Sequence, residues 1–245
     1  MSTPDPAHTA RTTELSARLD GLLARIDAAV ESAGRQQGSV QLLPVTKFFP
    51  DSDVAILHDL GRREFGESRE QEASAKVDEL AYDDVEWHMI GRLQRNKARA
   101  VARWAHTVHS VDSERLANAL DRAAQDALAA GERNAPLRVL LQVSLDADPG
   151  RGGVAPGDLL ALSDLVAKAP GLHLAGLMAI PPLDTPADVA FAKLAKLHTS
   201  LLAQHAEATE LSAGMSGDLE IAVEHGSTCV RVGTALMGAR PITSA

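Results

Sequence analysis

Eight short apolar runs, each followed by a stretch with helical periodicity, constrain this chain more than any other feature. The runs fall at Val40–Val45, Glu64–Phe65, Val85–Ile90, Thr107–Val111, Leu137–Val143, Leu172–Met178, Glu210–Ser212 and Cys229–Val232. Runs of this length read as buried strands. Strands that alternate with helices form a parallel sheet. Eight such units in 245 residues predict a closed (β/α)8 barrel of the TIM type. An open Rossmann-like sheet is the competing architecture, but no G-x-G-x-x-G follows the first strand. Ahead of the first strand, Leu15, Leu19, Leu22, Leu23, Ile26, Ala29 and Val30 recur at helical spacing, with Gly34 as the stop. Residues 1–10 read as a disordered tail and 11–245 as one domain.

Hydrophobic residues make up 45% of the chain and aromatics only 3%, so Ala, Leu and Val must build the core. The net charge of −9 makes nucleic acid a poor partner, because a phosphate backbone demands a positive surface. Five cations between Arg92 and Arg103 then read as a solvated helix face. A single cysteine, Cys229, allows neither an intrachain disulfide nor a cysteine zinc site. No apolar signal-peptide core and no run of 18 apolar residues is found, so the expected location is cytoplasmic, with no membrane contact.

Barrel chemistry gathers at the C-terminal ends of the strands. Lys47 stands there, in Pro44-Val45-Thr46-Lys47-Phe48-Phe49-Pro50. The other five lysines fall in predicted helices or polar segments. An amine among apolar neighbours loses solvation and becomes a Schiff-base nucleophile; the plainer alternative is a lysine that reaches out to water. After the seventh strand, Gly214-Met215-Ser216-Gly217 leads into a helix expected to start at Ser216. After the eighth, Gly233-Thr234 leads into another. Hydroxyls and glycines at helix starts suit a phosphate, and these two loops are its usual place in this fold, although ordinary capping also explains them. Strand periodicity turns Arg231 into the barrel, where it pairs with Glu64, Glu67 or Glu86 or faces a ligand. His88 reads as a hydrogen-bonded core residue. His106 and His109 lack a metal-ligand partner at sensible sequence spacing, so no metal is expected. No G-x-S-x-G nucleophile elbow is present.

The motifs Val45-Thr46-Lys47, Phe65-Gly66-Glu67-Ser68, Trp87-His88-Met89-Ile90-Gly91, Ser110-Val111-Asp112, Gln142-Val143, Gly176-Leu177-Met178, Gly214-Met215-Ser216 and Arg231-Val232-Gly233-Thr234 occur in this order. With them the chain resembles the pyridoxal phosphate homeostasis proteins (YggS/PROSC type) from about residue 14 to Arg240. The resemblance implies the alanine racemase N-terminal-type barrel standing alone, with pyridoxal 5′-phosphate (PLP) as cofactor. It implies an internal aldimine on Lys47, a phosphate held by Ser216, Gly233 and Thr234, and Arg231 facing the pyridine nitrogen. Ser68, His88, Met178 and Met215 are carried over as further cofactor contacts. Three departures stand out: Ser68 in place of Asn, Arg92 in place of Pro, and Gly150-Arg151-Gly152-Gly153 in place of a Lys-containing loop. The expected role is a PLP carrier that buffers the cofactor or delivers it to apo PLP enzymes, acting as a monomer and without fast catalysis. The alternatives are a weak amino-acid racemase and a barrel enzyme for phosphorylated sugars. A racemase needs a second base, and the one tyrosine, Tyr82, falls in a polar turn.

Overall fold

A computed structural model describes residues 6–146 and 152–239. The eight strands are β1 (Gln41–Pro44), β2 (Glu64–Glu67), β3 (Glu86–Met89), β4 (Thr107–Val111), β5 (Leu137–Gln142), β6 (Leu172–Met178), β7 (Glu210–Ser212) and β8 (Cys229–Val232). All pair in parallel, in the order β1-β8-β7-β6-β5-β4-β3-β2. The cylinder closes between β1 and β2 through one bridge, Val45 to Gly66, with Thr46 N–H donating to the Gly66 carbonyl at 3.1 Å. The expected barrel is therefore what the chain forms.

The helices are α1 (Pro6–Ser32), α2 (Asp51–Asp59), α3 (Glu70–Leu80), α4 (Ala98–Trp104), α5 (Glu114–Ala129), α6 (Leu159–Ala167), α7 (Ala187–Gln204), α8 (Leu219–Glu224) and α9 (Thr234–Met237). In α5, Leu116, Leu120, Ala123, Ala124 and Ala127 form one buried stripe against the sheet. Ser113 stands before it as expected, but its carbonyl, not its hydroxyl, receives the first N–H groups, those of Leu116 and Ala117.

Residues 6–10, read as part of a disordered tail, belong to a helix, while residues 1–5 lie outside the described residues. α1 reaches back to Pro6, a residue suited to the first helical turn because its missing N–H is not needed there. Its buried face of Leu15, Leu19, Leu22, Ile26, Ala29 and Val30 packs against the β1, β8 and α9 region. Arg11 fixes the register of that packing, pairing with Asp53 of α2 at 2.6 Å and donating to the Met237 carbonyl at 3.0 Å. Among the described residues no helix is long and apolar enough to cross a membrane.

The inside of the barrel is only partly apolar. Leu140, Ala175 and Met178 form a small inner cluster. Beside it lie buried polar groups on β3, β4, β7 and β8: His88, His109, Ser212 and Arg231.

Candidate functional site

A cavity of about 450 Å³ opens at the C-terminal mouth of the barrel. Lys47 enters it from the turn after β1, half-buried, its Nζ 5.9 Å from the centre of the Phe48 ring. Phe48 adopts φ +69°, a conformation that a bulky residue holds only under tertiary constraint. That constraint comes from α3: the Phe48 ring carries the Arg69 guanidinium at 5.0 Å, and its N–H points to Glu72 Oε2 at 3.4 Å.

Beneath this turn lies a buried charge pair. Glu67 Oε1 accepts from Lys76 Nζ at 2.6 Å and from the Thr46 hydroxyl at 2.7 Å, and Lys76 Nζ also donates to the Thr46 carbonyl at 2.8 Å. Burial pushes the Glu67 carboxyl up, and the Lys76 ammonium pulls it back down. Lys76, which the sequence places in an ordinary helical segment, is thus the more buried of the two lysines, and its partners are polar. Lys76 is bound to a carboxylate beneath the turn, whereas Lys47 faces the cavity.

On the β8 side of the Lys47 turn, Ser216, Gly233 and Thr234 line one wall. Ser216 does not begin α8, which starts at Leu219 after Asp218 takes the Met215 N–H at 2.6 Å. The Ser216 hydroxyl instead accepts from Ala235 N–H in the first turn of α9 at 3.2 Å. The loops after β7 and β8 are therefore tied into one surface carrying two hydroxyls. Gly233 presents bare backbone to the cavity, and a Cβ there would come no closer than 3.5 Å to Val45.

Arg231 points inward as the strand period requires and is 5% exposed. Its partners are not Glu64, Glu67 or Glu86. It donates to Ser212 Oγ at 2.7 Å and to the Ala179 carbonyl at 2.9 Å. Neutral partners leave its full charge at the cavity floor, and burial pushes its pKa down.

Ser68 and Met215 also line the cavity. Met178 and His88 do not: Met178 packs inward against Leu140 and Ala175, and His88 belongs to the opposite mouth. Gln142, Ile90 and Ile180 complete the walls, of which Gln142 and Ile90 stand in the matched motifs without having been assigned a role. Arg92 lines the cavity too, and Gly152 meets Gln142, while Gly150 and Arg151 lie outside the described residues. Gly91 is required by close approach: a Cβ there would fall 2.1 Å from the Ser68 carbonyl oxygen.

A closed parallel barrel with a lysine at the end of β1 and hydroxyl-bearing loops after β7 and β8 defines the alanine racemase N-terminal-type class. The family profile described as alanine racemase, N-terminal domain, matches residues 18–241. Alanine racemase from Corynebacterium glutamicum shares the fold with a TM-score of 0.65 at 17% identity, over 93% of this chain and 62% of that one. The pyridoxal phosphate homeostasis protein of Mycobacterium tuberculosis is 54% identical over 97% of both chains. That of Corynebacterium glutamicum is 47% identical over 89% of this chain and 99% of its own. PipY of Synechococcus elongatus, whose structure was determined with PLP bound, superposes with a TM-score of 0.78 at 36% identity, covering 91% of this chain and all of that one. The chain belongs to the pyridoxal phosphate homeostasis protein family.

Proposed function

We propose that this chain binds PLP in the C-terminal cavity and serves PLP homeostasis as a carrier, keeping the reactive aldehyde off other amines and passing the cofactor to apo-enzymes. The observation that carries the reading is one cavity shared by Lys47, Arg231 and the Ser216–Thr234 wall. Its volume lies in the range of small-molecule pockets. Bound PLP supplies an aldehyde, an anionic phosphate and a pyridine ring. The Lys47 amine is the attachment point for the aldehyde. Ser216, Gly233 and Thr234 meet the phosphate with hydroxyls and open backbone. Arg231, held by Ser212 and Ala179, directs a charged N–H donor at the ring nitrogen. Such a donor disfavours a protonated ring and weakens it as an electron sink.

The placement of the other ionisable groups supports carriage over turnover. Tyr82 stacks on His58 at 4.0 Å on the outer surface. Cys229 is buried, and burial pushes its thiol up to about 12. His88 and His109 are enclosed within the barrel. None of these stands opposite Lys47 as a second base. Incubation with L-amino acids in deuterium oxide is expected to give slow α-proton exchange without D-product, while the loaded protein transfers PLP to an apo-enzyme. Turnover near the enzyme median of about 10 per second, lost in Lys47→Ala, would overturn the carrier reading.

The phosphate wall has its own test. Ser216→Ala combined with Thr234→Val is expected to weaken PLP binding by about 1.5–3 kcal/mol while leaving pyridoxal binding nearly unchanged, because only the phosphorylated ligand loses charge-assisted hydrogen bonds. Equal losses for both ligands in a binding titration would place the phosphate elsewhere.

A further inference from the structure

The opposite, N-terminal mouth of the barrel holds a second constellation. Glu86 at the start of β3, His88 two residues on, and His106 just before β4 bring one ligand atom each to within 4.8 Å of one another. They border a cavity of about 300 Å³ together with Arg138 and Glu210. Sequence spacing did not reveal the group because β3 and β4 lie side by side only in the fold, where His88 pairs with Thr107, the neighbour of His106.

His88 is the informative member. It is 4% exposed, and its Nε2 is buried with no hydrogen-bond partner. An orphaned buried ring nitrogen is costly and calls for an occupant. Its other nitrogen is committed: Nδ1 lies 2.9 Å from His109 Nε2, and His109 Nδ1 lies 3.0 Å from Ser212 Oγ. If each histidine donates from Nδ1, the lone pair of His88 Nε2 faces the cavity. At the rim, His106 Nδ1 stands 3.3 Å from Glu86 Oε2. Ligand atoms bonded to one tetrahedral zinc ion at about 2.0–2.1 Å lie about 3.4 Å apart, so this edge already has the required length. The Thr107 hydroxyl, 3.0 Å from the same His106 nitrogen, is the contact an ion would displace. Arg138 is the nearby cation, and the Glu210 carboxylate engages it.

We propose that this mouth is a binding site for one divalent transition-metal ion of the zinc class, held by His88 Nε2, His106 and Glu86 with a fourth position open to water. Two imidazoles and a carboxylate suit such an ion, and His109 is the outer partner that orients a ligating histidine. The ion would also fix the hydrogen bonds through the barrel. His88 donates to His109, His109 donates to Ser212, and Ser212 Oγ accepts from both His109 and Arg231. The metal mouth and the cavity floor then share one ordered chain of side chains.

The test strips the protein with a chelator and titrates it with Co²⁺ as a spectroscopic probe, with Zn²⁺ as competitor. The expected result is one ion per chain, visible d–d bands, and displacement by Zn²⁺. His106→Ala and Glu86→Gln, both at the rim, are expected to weaken binding by more than about 100-fold with an unchanged unfolding midpoint in the absence of metal, since loss of a direct ligand exceeds the about 10–100-fold that outer partners cost. Absence of saturable binding, or binding that both variants retain, would overturn the proposal.

Discussion

Replacing Lys47 with alanine is expected to abolish covalent capture of PLP entirely. Wild-type protein mixed with PLP should develop an absorption band in the near-visible, and borohydride should trap the ligand on a peptide containing Lys47. The variant should show neither, while the phosphate wall still allows weak, reversible binding. The most buried lysine is Lys76, but it donates to Glu67 and to the Thr46 carbonyl beneath the turn. Lys97 and Lys193 are likewise engaged, with Glu70 and with the Leu145 carbonyl. An adduct mapped to any of these by mass spectrometry would sink the assignment of Lys47.

The second large effect concerns stability. Glu67→Ala removes the partner of a buried ammonium without giving it another. Breaking one side of a buried ion pair typically costs about 3–5 kcal/mol. For a chain of this size that lowers the thermal midpoint by roughly 6–20 °C. The geometry makes the expectation sharper than the average case, because one carboxylate oxygen serves both Lys76 and Thr46. Glu67→Gln combined with Lys76→Met removes both charges together and should recover most of the loss, since desolvation of the pair offsets much of its attraction. A single-variant loss below about 1 kcal/mol, the range of surface pairs, would show that water reaches the pair.

The barrel was legible in the sequence because a parallel sheet buries both faces, so its strands appear as short, mainly apolar runs. Leu137–Gln142 and Leu172–Met178 are the clearest cases. Arg231 was legible for a related reason: with Val230 and Val232 packed against helices, the two-residue period leaves it the interior. What sequence could not supply was pairing across distance. Lys76 sits in an ordinary helical segment, and its burial depends on Glu67 of the neighbouring strand. Ser216 was read as a helix start because a hydroxyl beside a glycine suits one, yet Asp218 holds the N-cap position, its side chain turned back to the Met215 N–H, and the Ser216 hydroxyl serves Ala235. His88 was assigned to the cofactor through its motif. Its place in β3 is right, but its ring lies toward the far end of the cylinder, where His106 waits 18 positions away in sequence.

The wall of the cylinder is uneven around its circumference. The β5–β6 joint is laddered over six residue pairs, whereas β7 and β8 register at one pair and β1 and β2 share one backbone bridge, the latter backed by the clamp of Lys76 on Thr46 and Glu67. Lys47 emerges one residue beyond that clamp. A thinly bridged arc of the stave wall and the lysine proposed as the tether for a ligand therefore coincide. Opening of this joint would carry the proposed tether with it, so arrival and departure of a guest would be governed from the β1–β2 side of the cup.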